Sequence, residues 1–185
     1  MQRCGCIGKG DMTTKQLEHI AYKHLTKMGT YLCFEVMMPN GCGLGYGNNE
    51  RVDLLSYDTN GVWRFYELKV SKSDFHSKAK KTFLGNFNYY IMPNELYEQV
   101  KGAIPKGIGV YVAHDRPNGR SWMECVKKPV KQDLKIPHDK LMFAFMQSLS
   151  RENQKFRRLQ RKEWESKFQA IGEETEEAEA FLELI

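Results

Sequence analysis

The chain has 185 residues, 41% of them hydrophobic, which is enough for one domain with a real core and an appendage. It holds no apolar run of about eighteen residues, and its start, MQRCGCIGKGD, lacks the apolar stretch of a secretory signal. Neither a membrane span nor export is expected, and the predicted compartment is the cytoplasm. Five cysteines in such a chain argue against a disulfide framework, and Cys4, Cys6 and Cys42 lack the spacing of a structural zinc site. The net charge of +5 is unevenly spread: the last thirteen residues hold six glutamates and no base, so the preceding 172 carry 28 minus 17, or +11. A basic body fits a polyphosphate partner, and equally a solvated lysine-rich surface.

In chain order, TTKQLEHIAYKHLTKMG predicts the first helix. Leu17, Ile20, Ala21, His24, Leu25 and Met28 repeat at helical spacing, Thr13 with Gln16 resembles a capping box, and Gly29 supplies the stop. Glu18 lies at the border of the apolar face. YLCFEVMMP follows as a strand, then a loop with glycines at 41, 43, 45 and 47. Residues 51 to 58 and 61 to 70 read as antiparallel strands joined by DTNG, where Asn60 and Gly61 can both take positive φ. A short basic helix near 73 to 83 is next, then the strand FNYYIMP, the helix NELYEQVKGA, and the strands GIGVYVAHD and SWMECVKKPV joined by RPNG. Cys33 and Cys125 are expected as buried thiols, and Tyr89 and Tyr90 as half core, half surface. The five histidines show no ligand or triad spacing. The order predicts an α/β fold, a mixed central β-sheet flanked by helices.

After Pro137 neither glycine nor proline occurs before Gly172, and Met142, Phe145, Leu149, Phe156 and Trp164 recur at roughly helical intervals. One long helix, or two, is expected to end at Gly172. The organisation is thus an N-terminal segment (1–12), an α/β domain (13–136) and a C-terminal helical extension with an acidic tail (137–185). Residues 151–167 carry seven basic and three acidic side chains, which a solvated face would also explain. The tail places Phe181, Leu182, Leu184 and Ile185 among its glutamates. It is expected to dock on the basic helix of its own chain or of a second copy, making a homodimer, or to meet a protein partner.

Chemistry concentrates in RVDLLSYDTNGVWRFYELKVSKSDF, residues 51–75. Alternation puts Trp63, Phe65, Glu67 and Lys69 on one face of a strand and Tyr66, Leu68 and Val70 on the other. The hairpin brings Asp53 alongside Glu67. Hydrolysis of a phosphodiester needs an activated water and neutralisation of charge on phosphate, and a divalent metal supplies most of this. Magnesium takes oxygen ligands, so Asp53, Glu67 and the Leu68 carbonyl are candidate ligands, with Lys69 holding the attacking water. A same-strand ion pair on a half-exposed sheet, with Asp53 facing solvent, is the structural alternative. Lys72, Lys78, Lys80 and Lys81 follow the strand where a helix would meet the phosphate backbone.

D-x13-E-x-K across a hairpin, after a helix bearing a glutamate and before a basic helix, resembles the PD-(D/E)XK nuclease superfamily. With NYYIMP and IPKGIGVYVA, residues 13 to 130 are similar to its MmcB-like DNA repair branch. The resemblance implies a restriction-endonuclease-like core and a Mg2+- or Mn2+-dependent deoxyribonuclease, an endonuclease in DNA repair, recombination or phage DNA processing. It implies catalytic or metal roles for Asp53, Glu67 and Lys69, and matches Glu18 to a helical glutamate; Glu35 in CFEVMM is an alternative third acid, but as a strand glutamate it is expected to face solvent. Ser71, Asp74 and Phe75 match residues after the E-x-K, and Ser71 joins the candidate DNA contacts. Val52 replaces the proline of the superfamily name, and Lys78 stands where an acidic residue is expected. A catalytically silent nucleic-acid-binding module of the same fold, and an interaction protein acting through its C-terminal helices, are the competing readings.

Overall fold

The computed structural model describes residues 12–38, 51–77, 83–115 and 120–182, with 167–182 as helix backbone alone. Cys4, Cys6, Cys42, the glycine-bearing loop, Lys78, Lys80, Lys81 and the RPNG turn lie outside the described residues.

Helix α1 (Thr14–Leu25) starts at the predicted capping box. The Thr13 hydroxyl accepts the Gln16 amide at 3.3 Å and the Gln16 side chain accepts the Thr13 amide at 2.8 Å. It ends earlier than the sequence pattern indicated: Thr26 turns to extended backbone at ψ 110° while its amide and hydroxyl donate to the Tyr22 carbonyl. Met28, expected on the apolar face, is therefore outside the helix and fully exposed. Gly29, at φ +73°, turns the chain into β1 (Thr30–Met37).

Strands β2 (Arg51–Asp58) and β3 (Trp63–Leu68) form the expected hairpin, but only Gly61 of its turn takes positive φ. The Asp58 side chain organises the connection instead, accepting the Asn60 and Val62 amides at 2.9 and 3.1 Å. A short helix α2 (Lys72–Phe75), β4 (Phe87–Pro93), α3 (Asn94–Val100), β5 (Gly109–Asp115) and β6 (Ser121–Lys127) complete the sheet unit. Strand order equals chain order, β1-β2-β3-β4-β5-β6. β3–β4 and β4–β5 are parallel and the other neighbours antiparallel, so the fold is a mixed α/β sheet with helices.

Alternation then sorts the core. Leu54, Tyr66, Leu68, Tyr89 and Ile91 pack with Leu17, Ile20, Ala21 and Leu25 of α1. On the opposite face Leu55, Trp63 and Phe65 pack with Leu141 and Phe145, and Tyr90, Met92, Val110 and Val112 pack with Phe75, Leu96 and Val100. Tyr89 and Tyr90 are both buried, not half exposed, because β4 lies inside the sheet with a covered layer on each face. Cys33 is buried as expected, whereas Cys125, on the edge strand β6, is exposed.

Leu141 and Phe145 belong to α4 (His138–Leu182), one helix that runs through Gly172. A lone glycine costs a helix only about 1 kcal/mol relative to alanine, too little to end it. The chain divides into two compact units within this helix, Met1–Phe145 and Met146–Ile185. No helix among the described residues is long and apolar enough to cross a membrane.

Candidate active site

The β1–β2–β3 layer is irregular at one end. Phe34 and Leu54 face α1, yet the next alternate pair, Val36 and Val52, packs in the cluster on the opposite face. The reversal falls at Glu35 and Asp53. Glu35 is the one non-glycine residue of positive φ among the described residues, at 56°. In the next strand pair, the paired residues stop at Leu54↔Tyr66, one step short of setting Asp53 against Glu67. Here the Asp53 carboxylate itself accepts the Leu68 amide at 2.8 Å. On its other edge β3 stays paired, with the Lys69 amide donating to the Ile91 carbonyl at 2.9 Å. A residue's N–H and C=O leave an extended strand on the same edge, so the Leu68 carbonyl faces the Asp53 side.

Glu67 and Lys69 are buried, at 4% and 6% exposure, on the face that also carries Phe65. The Lys69 ammonium lies 3.7 Å from the Glu67 carboxylate and 3.4 Å from that of Asp74. Asp74 is presented by α2, whose N-terminus is capped by the Ser71 hydroxyl accepting the Asp74 amide at 3.2 Å. One lysine thus stands against two carboxylates, with a third on the adjoining strand. Burying a charge is costly without partners, and here Lys69 supplies opposite charge to both Glu67 and Asp74.

Electrostatics single out Asp53. Burial lifts its carboxyl above the ordinary range and Asp74 adds to the rise, while the Leu68 hydrogen bond and Lys69 oppose it. Glu18 is also raised, first by burial and then by Glu35 and Asp53, against a smaller opposing effect of Lys15. Glu35 and Asp53, where β1 and β2 reverse their faces, thus both act on the Glu18 carboxyl. Among the described residues no group of three or more His, Cys, Asp or Glu side chains is set to hold a metal ion. The donors on offer are two carboxylates and one carbonyl, a set that fits magnesium, which retains several waters.

The sequence-predicted residues are distributed as follows. Asp53, Glu67, Leu68 and Lys69 meet at the end of the hairpin. Glu18 does not meet them: it stands on α1, across the sheet from Glu67, and is linked to the site by the effect of Glu35 and Asp53 on its carboxyl. Glu35, expected to face solvent, is half-buried and forms an ion pair with Arg51. Ser71 is occupied as a helix cap, and Lys72 is exposed. Asp74 is not among the site residues predicted from sequence, although its spacing of five from Lys69 is the available signal: a strand end followed at once by a capped turn.

No protein-family model matches this chain, and no curated protein does. Among solved structures it is similar to a Silicibacter pomeroyi protein of unknown function, with a TM-score of 0.59 and 18% identity over 81% of this chain and 93% of that one. At that identity the likeness is one of fold.

Proposed function

We propose that the protein is a metal-dependent deoxyribonuclease of the PD-(D/E)XK superfamily, in or near its MmcB-like branch, that hydrolyses phosphodiester bonds with Mg2+ or Mn2+. The observation that carries this reading is the buried Glu67–Lys69 pair one strand from a carboxyl, Asp53, whose ionisation the fold opposes. Acids raised by burial and gathered with a lysine are a frequent mark of a working site.

In this reading Asp53, Glu67 and the Leu68 carbonyl would hold the ion, which when bound would supply water activation and charge neutralisation at the phosphate. Lys69, fixed from two sides by Glu67 and Asp74, orients the attacking water and faces the anionic substrate. Asp74 and Ser71 position Lys69 and the start of α2. Glu18 adds negative charge behind Asp53, strengthening that carboxylate's demand for a cation. Lys72, with Lys78, Lys80 and Lys81, contacts phosphates beside the scissile bond.

Incubation of the purified chain with single-stranded, duplex, flapped and nicked DNA, in magnesium, manganese or chelator, tests the proposal. Metal-dependent cleavage that is lost in Lys69→Ala is the expected result. Binding of DNA without cleavage under every condition would leave the silent-module reading in its place.

A further inference from the structure

The described part of the second compact unit, residues 146–182, is a helix of divided charge. Residues 151–167 carry seven bases and three acids, and residues 173–182 carry five glutamates and no base. Two of those three acids are engaged locally, Glu152 with Arg151 and Lys155, and Glu165 with Arg161. Arg157, Arg158 and Lys162 have no ion-pair partner among the described residues. On the same stretch Leu149, Phe156 and Leu159, spaced by seven and three, share one side of the helix and are 37%, 56% and 66% exposed.

Docking of the acidic tail on the basic segment of its own chain would require a break between them. α4 is continuous from His138 to Leu182, so both stretches lie on one rigid axis and cannot fold onto each other. From Arg151 to Leu182 that axis runs about 48 Å. DNA lying along it would meet the glutamates as well as the bases. A second copy reversed in direction meets neither problem, because each basic stretch then lies against a glutamate-rich one, whereas parallel pairing would oppose like charges.

We infer that the 146–182 portion of α4 pairs antiparallel with the same portion of a second chain, making the protein a homodimer. Such a contact is two-fold symmetric and therefore self-limiting. Exposed ion pairs are individually weak, so the apolar stripe supplies the cohesion and the charges set direction and partner.

Sedimentation of the full-length chain, read without reference to cleavage, tests this. One variant carries Arg157→Glu, Arg158→Glu and Lys162→Glu, and another carries Glu173→Lys, Glu174→Lys and Glu176→Lys. Wild type is expected to be dimeric, each variant to weaken self-association at least about tenfold, and their equimolar mixture to recover a dimer. Phe156→Ser with Leu159→Ser, at exposed positions, should also give monomer. A wild type that is monomeric at its highest soluble concentration overturns the inference. So does a dimer indifferent to both charge variants, or a mixture that fails to recover. If wild type is monomeric and the first variant loses DNA affinity, the basic stretch is a nucleic-acid surface instead.

Discussion

Asp53 and Asp58 stand five residues apart on one strand, at opposite ends of the same hairpin, and the fold treats them in opposite ways. Burial alone would raise the Asp58 carboxyl, but the Arg64 guanidinium at 2.6 Å and the Val62 and Asn60 amides outweigh it and hold it below the ordinary range. Asp53 has one amide, a lysine shared with two other acids and the more distant pull of Arg51, and burial still raises its carboxyl. The first aspartate is satisfied by the chain. The second has an unmet need for positive charge, and that separates a turn-forming residue from a candidate ligand.

Catalysis should break the comparison most sharply. Asp53→Ala, Glu67→Ala or Lys69→Ala is expected to lower cleavage by about 100-fold or more, whereas Asp58→Ala leaves it close to wild type. Single-turnover assays of the folded variants decide this, and wild-type rates in any one of the first three would remove that residue from the site.

Stability should show the reverse order. Asp58→Ala strips charge-assisted hydrogen bonds from a half-buried arginine, at a cost of about 1.5–3 kcal/mol. For a chain of this size each kcal/mol shifts Tm by about 2–4 °C. Because the Asp58 carboxyl is depressed, its contribution is present above its ordinary pKa and disappears as pH falls through the folded value. Thermal melts across an acid series would reveal it.

Asp53→Asn sharpens the contrast with a smaller effect of the opposite sign. A carboxyl raised in the folded state favours folding at low pH, and this advantage is lost as pH rises from its ordinary value through the raised one. Neutralising it without removing the acceptor for the Leu68 amide should therefore raise the metal-free Tm at neutral pH, by about 2–4 °C per kcal/mol relieved. The gain should vanish in acid. Magnesium should close the gap by stabilising wild type alone. An equal response of both proteins to the ion would mean that it binds elsewhere.

The smallest effect is expected at the exposed surface after β3. Neutralising Lys72 should weaken DNA binding for all sequences alike and reduce the salt slope by about one unit. An unchanged slope across a salt titration would assign Lys72 to solvent.

Much of this hairpin was legible beforehand because alternation is a hard constraint. Trp63, Phe65 and Glu67 had to share a face, and the Thr13 capping box needed only two residues three apart. FNYYIMP became β4 at its predicted limits because Pro93 ends the strand and opens α3. What escaped depended on tertiary context. No glycine marks the left-handed residue in β1, so the reversal at Glu35 was invisible. Cys125 is expected in the core because Trp122, Met123 and Val126 share its strand, and only the sheet order shows that β6 is an edge. α1 ends where Thr26 turns to extended backbone, with no breaker in the sequence there to announce it, and the expected stop at Gly172 was overridden by strong helix formers on both sides.

The coincidence of strand order and chain order has a consequence for how the molecule is made. Each new strand adds to the free edge left by the one before it, so no strand must wait for a distant segment or be inserted between two others. Contacts of short sequence separation close with little loop entropy and favour rapid folding. On a chain emerging from the ribosome, β1 to β3 can pair before β4 is synthesised. Burial of Glu67 and Lys69 must follow, because Tyr90 and the layer over it arrive only with β4 and α3. The charged pair is thus enclosed late, onto a hairpin that has already fixed its register.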